Sequence, residues 1–149
     1  PPRPTGAPRT GLSCRAPDGG RPSSGGPMQV HLEIRSRGVV TVDSVAVTLY
    51  APSGFKLVNA DSMVHAQSFV LRPGLNFLLL AIDAVHLNPG DYTLGLWLCR
   101  RPNSVFDHIE AAARVTIVSD PVRDGRPAVP GDGTVPCAFS MRIVDTPAE

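Results

Sequence analysis

The sequence predicts an all-β domain, an immunoglobulin-like or jelly-roll β-sandwich of about eight antiparallel strands with little helix. Three observations predict it. Short apolar segments alternate with polar residues at period two. Proline–glycine clusters punctuate them. No long segment carries the 3.6-residue period of an amphipathic helix.

The elements follow in order. Residues 1–9 are rich in Pro, Gly and Arg and read as a linker; the sandwich is expected over 10–144, and 145–149 is a tail. Gly11 to Ala16 is a short strand ended by the turn Pro17-Asp18-Gly19-Gly20. From Met28, the residues Met28, Val30, Leu32 and Ile34 alternate with Gln29, His31, Glu33 and Arg35, the pattern of a half-buried strand. Asp43 to Tyr50 repeats it, with Val45, Val47 and Leu49 against Ala46, Thr48 and Tyr50. Pro52-Ser53-Gly54 turns the chain into a short strand, Phe55 to Val58. Gln67 to Leu71 alternates again, and Arg72-Pro73-Gly74 turns. Leu75 to Ile82 is apolar on both faces, as expected of a central strand or of one covered by a partner.

Tyr92 to Cys99 places Tyr92, Leu94, Leu96 and Leu98 on one face and Thr93, Gly95, Trp97 and Cys99 on the other. Phe106 to Ala113 has the composition of a helical turn or two, and Arg114 to Val118 is a strand. Residues 119–136 form a loop longer than the roughly 12–15 residues above which structureless connections are uncommon. Cys137 to Val144 then alternates once more, a last strand that either pairs within the chain or crosses to a second subunit.

Several function classes are excluded or weakened. The net charge is +1, and the basic residues form no stripe that nucleic acid would need. No apolar run approaches the roughly 18–20 residues of a membrane-spanning helix. The chain opens on Pro1, which reads as a piece of a longer protein. Cys14, Cys99 and Cys137 form no CxxC pair, and free thiols of a reducing compartment are expected. The four histidines fall on different elements, so neither a metal site nor a cofactor is expected. Walker, GxSxG and HExxH patterns are missing, and this segment reads as non-catalytic. Asp107 and Glu110 lie three apart; they read as a solvated turn and not as an acid–base pair.

One order of motifs is distinctive. Phe69-Val70-Leu71-Arg72-Pro73-Gly74 leads into the apolar strand to Ile82. Leu87-Asn88-Pro89-Gly90-Asp91-Tyr92-Thr93-Leu94 follows as an LxPGxYxL element, then Asp107-His108-Ile109-Glu110-Ala111-Ala112 and the strand Arg114 to Val118. Over roughly residues 10–118 this resembles the C-terminal domain of the ATP-binding subunit of polysaccharide ABC transporters, called Wzt in the O-antigen exporters. The Pro/Gly-rich linker and the long loop before the last strand depart from that pattern.

The resemblance implies a cytoplasmic module at the inner face of the bacterial inner membrane, following a nucleotide-binding domain and working with a transporter membrane subunit. It implies recognition of a polysaccharide chain end and coupling to export. It implies a homodimer with the final strand exchanged.

A saccharide site needs an aromatic face for the ring and planar polar groups for the hydroxyls. Trp97 and Tyr50 lie on the non-core parity of their strands and lead the candidates. His31, Glu33 and Gln29 share that parity on another strand, and would join them if the strands are neighbours. Arg100, at a strand end, is a candidate for an acidic glycan. Two other readings stand beside this one. The sandwich serves protein interaction or dimerisation, with Trp97 in an interface; or it is an accessory domain of a secreted glycan-active enzyme.

Overall fold

The computed structural model describes residues 9–100 and 104–120, together with Val135, Met141 and Arg142. Among these residues the chain forms nine strands and one short 3-10 turn: β1 Arg9–Arg15, β2 Met28–Ser36, β3 Val40–Val42, β4 Ser44–Tyr50, β5 Lys56–Asp61, the turn Ser62–His65, β6 Phe69–Leu71, β7 Gly74–Ile82, β8 Gly90–Arg100 and β9 Ser104–Ile117. One sheet has the order β1-β2-β7 and the other β5-β4-β8-β9, all antiparallel. A two-stranded ribbon, β3-β6, lies beside them. This is the predicted sandwich.

The core follows from strand parity. Met28, Val30, Leu32 and Ile34 of β2 are buried, and so are Val45, Val47 and Leu49 of β4 and Tyr92, Leu94, Leu96 and Leu98 of β8. They form one cluster with Val115 and Ile117 of β9. At roughly 1.5–3 kcal/mol for each fully buried aliphatic side chain, these rows are the main drive for closing one sheet on the other. Tyr92 explains the LxPGxYxL element. Its ring is in the core, and its hydroxyl donates 2.6 Å to the Asn88 carbonyl, which ties the turn to the strand.

The turns fall where sequence places them. Gly19, Gly54 and Gly74 each have a positive φ (89°, 86° and 98°), which an L side chain adopts only under strain.

Three expectations need correction. Leu75 to Ile82 is not central: among the described residues β7 is an edge strand, and Leu75, Phe77 and Leu79 are 46%, 72% and 56% exposed. Its inner row, Leu78, Leu80 and Ile82, packs against the core, while its outer row stays exposed beside the outward residues of β2. Phe106 to Ala113 is not helical, because pairing with β8 draws it into the long strand β9. Val40–Val42 adds a strand where none was expected. The expected last strand, 137–144, lies outside the described residues except for Met141 and Arg142, which are exposed.

The sandwich is closed on one side and open on the other. At the β1/β9 side, the Thr10 hydroxyl donates 2.9 Å to Asp107 Oδ2. At the β5/β7 side, a cleft of about 260 Å³ opens between the sheets, floored by Leu32, Val45, Val47, Leu78 and Leu80.

Candidate functional site

The outward face of the four-stranded sheet carries the candidate site. Register fixes its layout, because residues paired directly across antiparallel strands share a face. One transverse row is Asp61, Ala46, Trp97 and His108, from β5 to β9. The next is Asn59, Thr48 and Gly95. A third is Lys56, Tyr50, Thr93 and Arg114. The first two rows apart from Gly95, with Tyr50 and Lys56, line a shallow groove of about 200 Å³.

Tyr50 and Trp97 are its aromatic walls, both half-buried. Gly95 sits beside Trp97 on this face, and it lets the Tyr50 ring lie down on the sheet. A Cβ at Gly95 would come within 2.8 Å of Tyr50 Cε2. Trp97 is held from the other side by His108, edge to face, with ring centroids 5.0 Å apart and planes at 70°. Such a pair is worth roughly 0.5–1.5 kcal/mol and fixes the indole's tilt.

The polar groups are also placed. Thr48 Oγ1 donates 2.8 Å to Asn59 Oδ1, which turns the Asn59 amide NH2 away as a donor. Asp61 Oδ1 accepts from Ser44 Oγ (3.0 Å) and from the Met63 amide (3.0 Å), which fixes a carboxylate that lines the groove. Ala46 and Thr48 are buried beneath these side chains, which is why β4 reads as buried on both faces. An aromatic wall, a fixed carboxylate and a fixed amide donor form the equipment for one sugar ring and its hydroxyls.

The sequence candidates separate. Tyr50 and Trp97 come together, since β4 and β8 are neighbours. His31, Glu33 and Gln29 lie on β2, in the other sheet, and do not join them. There His31 faces Leu79 and Glu33 faces Phe77, and Arg15 Nε donates 3.3 Å to His31 Nε2. Arg100 is exposed at the end of β8, opposite Ser104 and on the parity opposite to Trp97. Asn59, Asp61, Thr48, Lys56 and His108 were not anticipated. Extending the Phe55 to Val58 strand to Asp61 would have found the first two.

No group of three or more potential metal ligands gathers among the described residues. Cys14 and Cys99 are unbridged. Burial pushes the Cys14 thiol up to about 11, so it is not a nucleophile at neutral pH. Asp107 is buried under Thr10 and away from the groove. Asp107→Ala is expected to cost about 1–3 kcal/mol in urea unfolding, because it strands a part-buried hydroxyl, and to leave groove binding unchanged.

The comparison that bears on this geometry is structural. The crystal structure of the C-terminal domain of Wzt superposes with a TM-score of 0.66, over 93% of this chain and 85% of that one, at 10% sequence identity. This chain has the Wzt C-terminal fold. The architecture implied by the sequence resemblance is therefore the one found. No protein-family model matches the sequence, and no curated protein matches it. At this identity the likeness to Wzt carries the fold and not the site.

Proposed function

We propose that this chain is a non-catalytic carbohydrate-recognition domain. It reads the terminal part of a lipid-linked polysaccharide of O-antigen type and couples that recognition to ABC-transporter export at the inner face of the bacterial inner membrane. The observation that carries the reading is the Tyr50–Trp97 platform, set beside the fixed Asn59 and Asp61 groups on the outward face of a Wzt-like sandwich. The groove's size supports a chain-end reader. About 200 Å³ is below the ~300–1,000 Å³ of sites for drug-sized ligands, and suits one sugar unit.

The test is a titration with the host's own polysaccharide, intact and end-trimmed, followed by the fluorescence of Trp97, the sole tryptophan. Saturable binding that moves the Trp97 signal and vanishes on trimming is expected. A folded protein that ignores saccharide at millimolar concentration would refute the reading.

A homodimer belongs to the same proposal, and β7 supports it. Its nine residues pair with β2 without a bulge, its outer edge has no partner among the described residues, and no proline or charge lies within it. Unprotected apolar edges are templates for another strand. Residues 137–144 of a second copy, with apolar Phe139, Met141 and Ile143 at period two, are the proposed occupant. Deleting 137–149 is expected to convert a dimer to a monomer in sedimentation; a dimer of unchanged affinity would rule out exchange.

A further inference from the structure

The outward face of the β1-β2-β7 sheet serves neither the core nor the groove. Register fixes its rows: Arg9, Arg35 and Leu75; then Gly11, Glu33 and Phe77; then Ser13, His31 and Leu79. Its β7 side is an apolar strip, and its other side is polar.

At the Leu75 end the sheet runs on into the β3-β6 ribbon. Ser36 pairs with Gly74 and Val40 with Leu71, so residues 37–39 and 72–73 lie side by side as two turns between them. Both turns are pinned. Ser36 Oγ donates 2.8 Å to the Gly38 carbonyl. The Arg72 amide donates 2.9 Å to Asn76 Oδ1, and Asn76 Nδ2 donates 2.9 Å to the Arg72 carbonyl and 3.2 Å to the Ile34 carbonyl. Arg37 and Arg72 therefore project from fixed backbone beside Arg35. On the ribbon, exposed Val70 joins Phe77 and Leu79 in lining an open groove of about 400 Å³.

The charge at this end is nearly of one sign. Arg35, Arg37 and Arg72 are exposed, and none makes an ion pair among the described residues. Glu33, two residues from Arg35, is the one carboxylate in these rows. Asp18 and Asp83 stand in the turns at the opposite end, where Arg15 donates to His31.

We infer that this end of the sheet docks on an anionic bilayer surface: Leu75, Phe77 and Val70 enter the headgroup layer, and Arg35, Arg37 and Arg72 meet lipid phosphates. Charge complementarity carries the choice. Guanidinium groups pair with phosphate, and aromatic and aliphatic side chains beside them bury at the headgroup boundary. The apolar groups stand out from the sheet and do not line a closed pocket, and a fluid surface needs no matched shape. The inference does not rest on the saccharide reading, since Tyr50 and Trp97 are on the other sheet. A strand added at the β7 edge would lie in the plane of the sheet and leave this face outward.

The experiment is flotation of the full chain with two kinds of vesicle: phosphatidylcholine alone, and phosphatidylcholine with phosphatidylglycerol in equal parts. Wild type is expected to bind the anionic vesicles at least roughly tenfold tighter, with the difference shrinking at high salt. Each of Arg35→Gln and Arg72→Gln is expected to weaken that binding roughly fivefold. Phe77→Ser is expected to weaken it at every salt concentration, because its share is not electrostatic. All three positions are exposed, so urea unfolding and Trp97-monitored saccharide titration of the variants should match wild type; this separates a lost docking surface from a damaged fold. Equal or absent binding to the two vesicles by wild type would overturn the inference and leave the saccharide reading standing. So would variants that float like wild type. Binding to soluble polyglutamate without binding to vesicles would assign the face to an acidic protein and overturn the bilayer.

Discussion

Trp97→Ala is expected to weaken saccharide binding by at least about tenfold, close to 1.4 kcal/mol, and to leave a folded protein. The argument is one of burial. Trp97 is half-buried, and its visible ring contact is the edge-to-face pair with His108. Losing that pair and part of the indole's covered area should cost about 1–2 kcal/mol of stability. A tryptophan serving as core would cost about 3–5 kcal/mol. Urea unfolding of the variant therefore separates two readings that its sequence position left together. A loss near the lower figure, with binding gone, places Trp97 at the ligand. A loss near the higher figure, or an unfolded chain, places it in the core or an interface. His108→Ala is the companion variant: it leaves the indole present but unbraced, so a weakened, still measurable affinity is expected.

How much of this was legible in the sequence depended on the physical cause behind each pattern. β2 was legible because one face of it is core and the other is not, and the sequence alternates for that reason. The turns at Gly54 and Gly74 were legible because their backbone requires a positive φ. β7 was misread because a run that is apolar on both faces signals cover on both faces. Among the described residues β7 has cover on only one, and the outer row Leu75, Phe77 and Leu79 stands exposed. β9 was misread because Glu110 to Ala113 is rich in helix formers, and the pairing Leu94 to Ala113 and Trp97 to His108 outweighs local propensity.

The site was legible by halves for a similar reason. Parity identifies which side chains leave the core; it does not say which sheet they leave from. Tyr50, Trp97, His31, Glu33 and Gln29 all have the outward parity, but β2 belongs to the opposite sheet. Neighbour relations come from long-range register, and no local pattern records that β4 sits between β5 and β8. Asn59, Asp61 and His108 became visible only once that order was known.

Gly95→Ala is expected to have the other large effect, and through a different link. The position looks like an ordinary strand residue, with a positive φ neither present nor needed. What it supplies is space. A methyl there would lie 2.8 Å from Tyr50 Cε2, 3.1 Å from the Ile109 carbonyl oxygen and 3.2 Å from the Glu110 carbonyl oxygen. The two kinds of contact yield differently. Tyr50 is the end of a flexible side chain, so its ring lifts from the sheet at small cost and leaves the platform. The carbonyls belong to the β9 bulge opposite Gly95, and they move only if the β8–β9 pairing gives way locally. Overpacking of this kind costs about 1–3 kcal/mol. Saccharide affinity should therefore fall about tenfold, as for loss of a stacking partner, alongside that modest loss of stability. A Tyr50→Ala background tells the parts of the stability loss apart. With the ring gone, the residual cost of Gly95→Ala in urea unfolding is the carbonyl contact alone, and the difference is the ring's share. A Gly95→Ala protein that binds saccharide like wild type would mean that Tyr50 can leave the sheet without consequence, and the platform would reduce to Trp97.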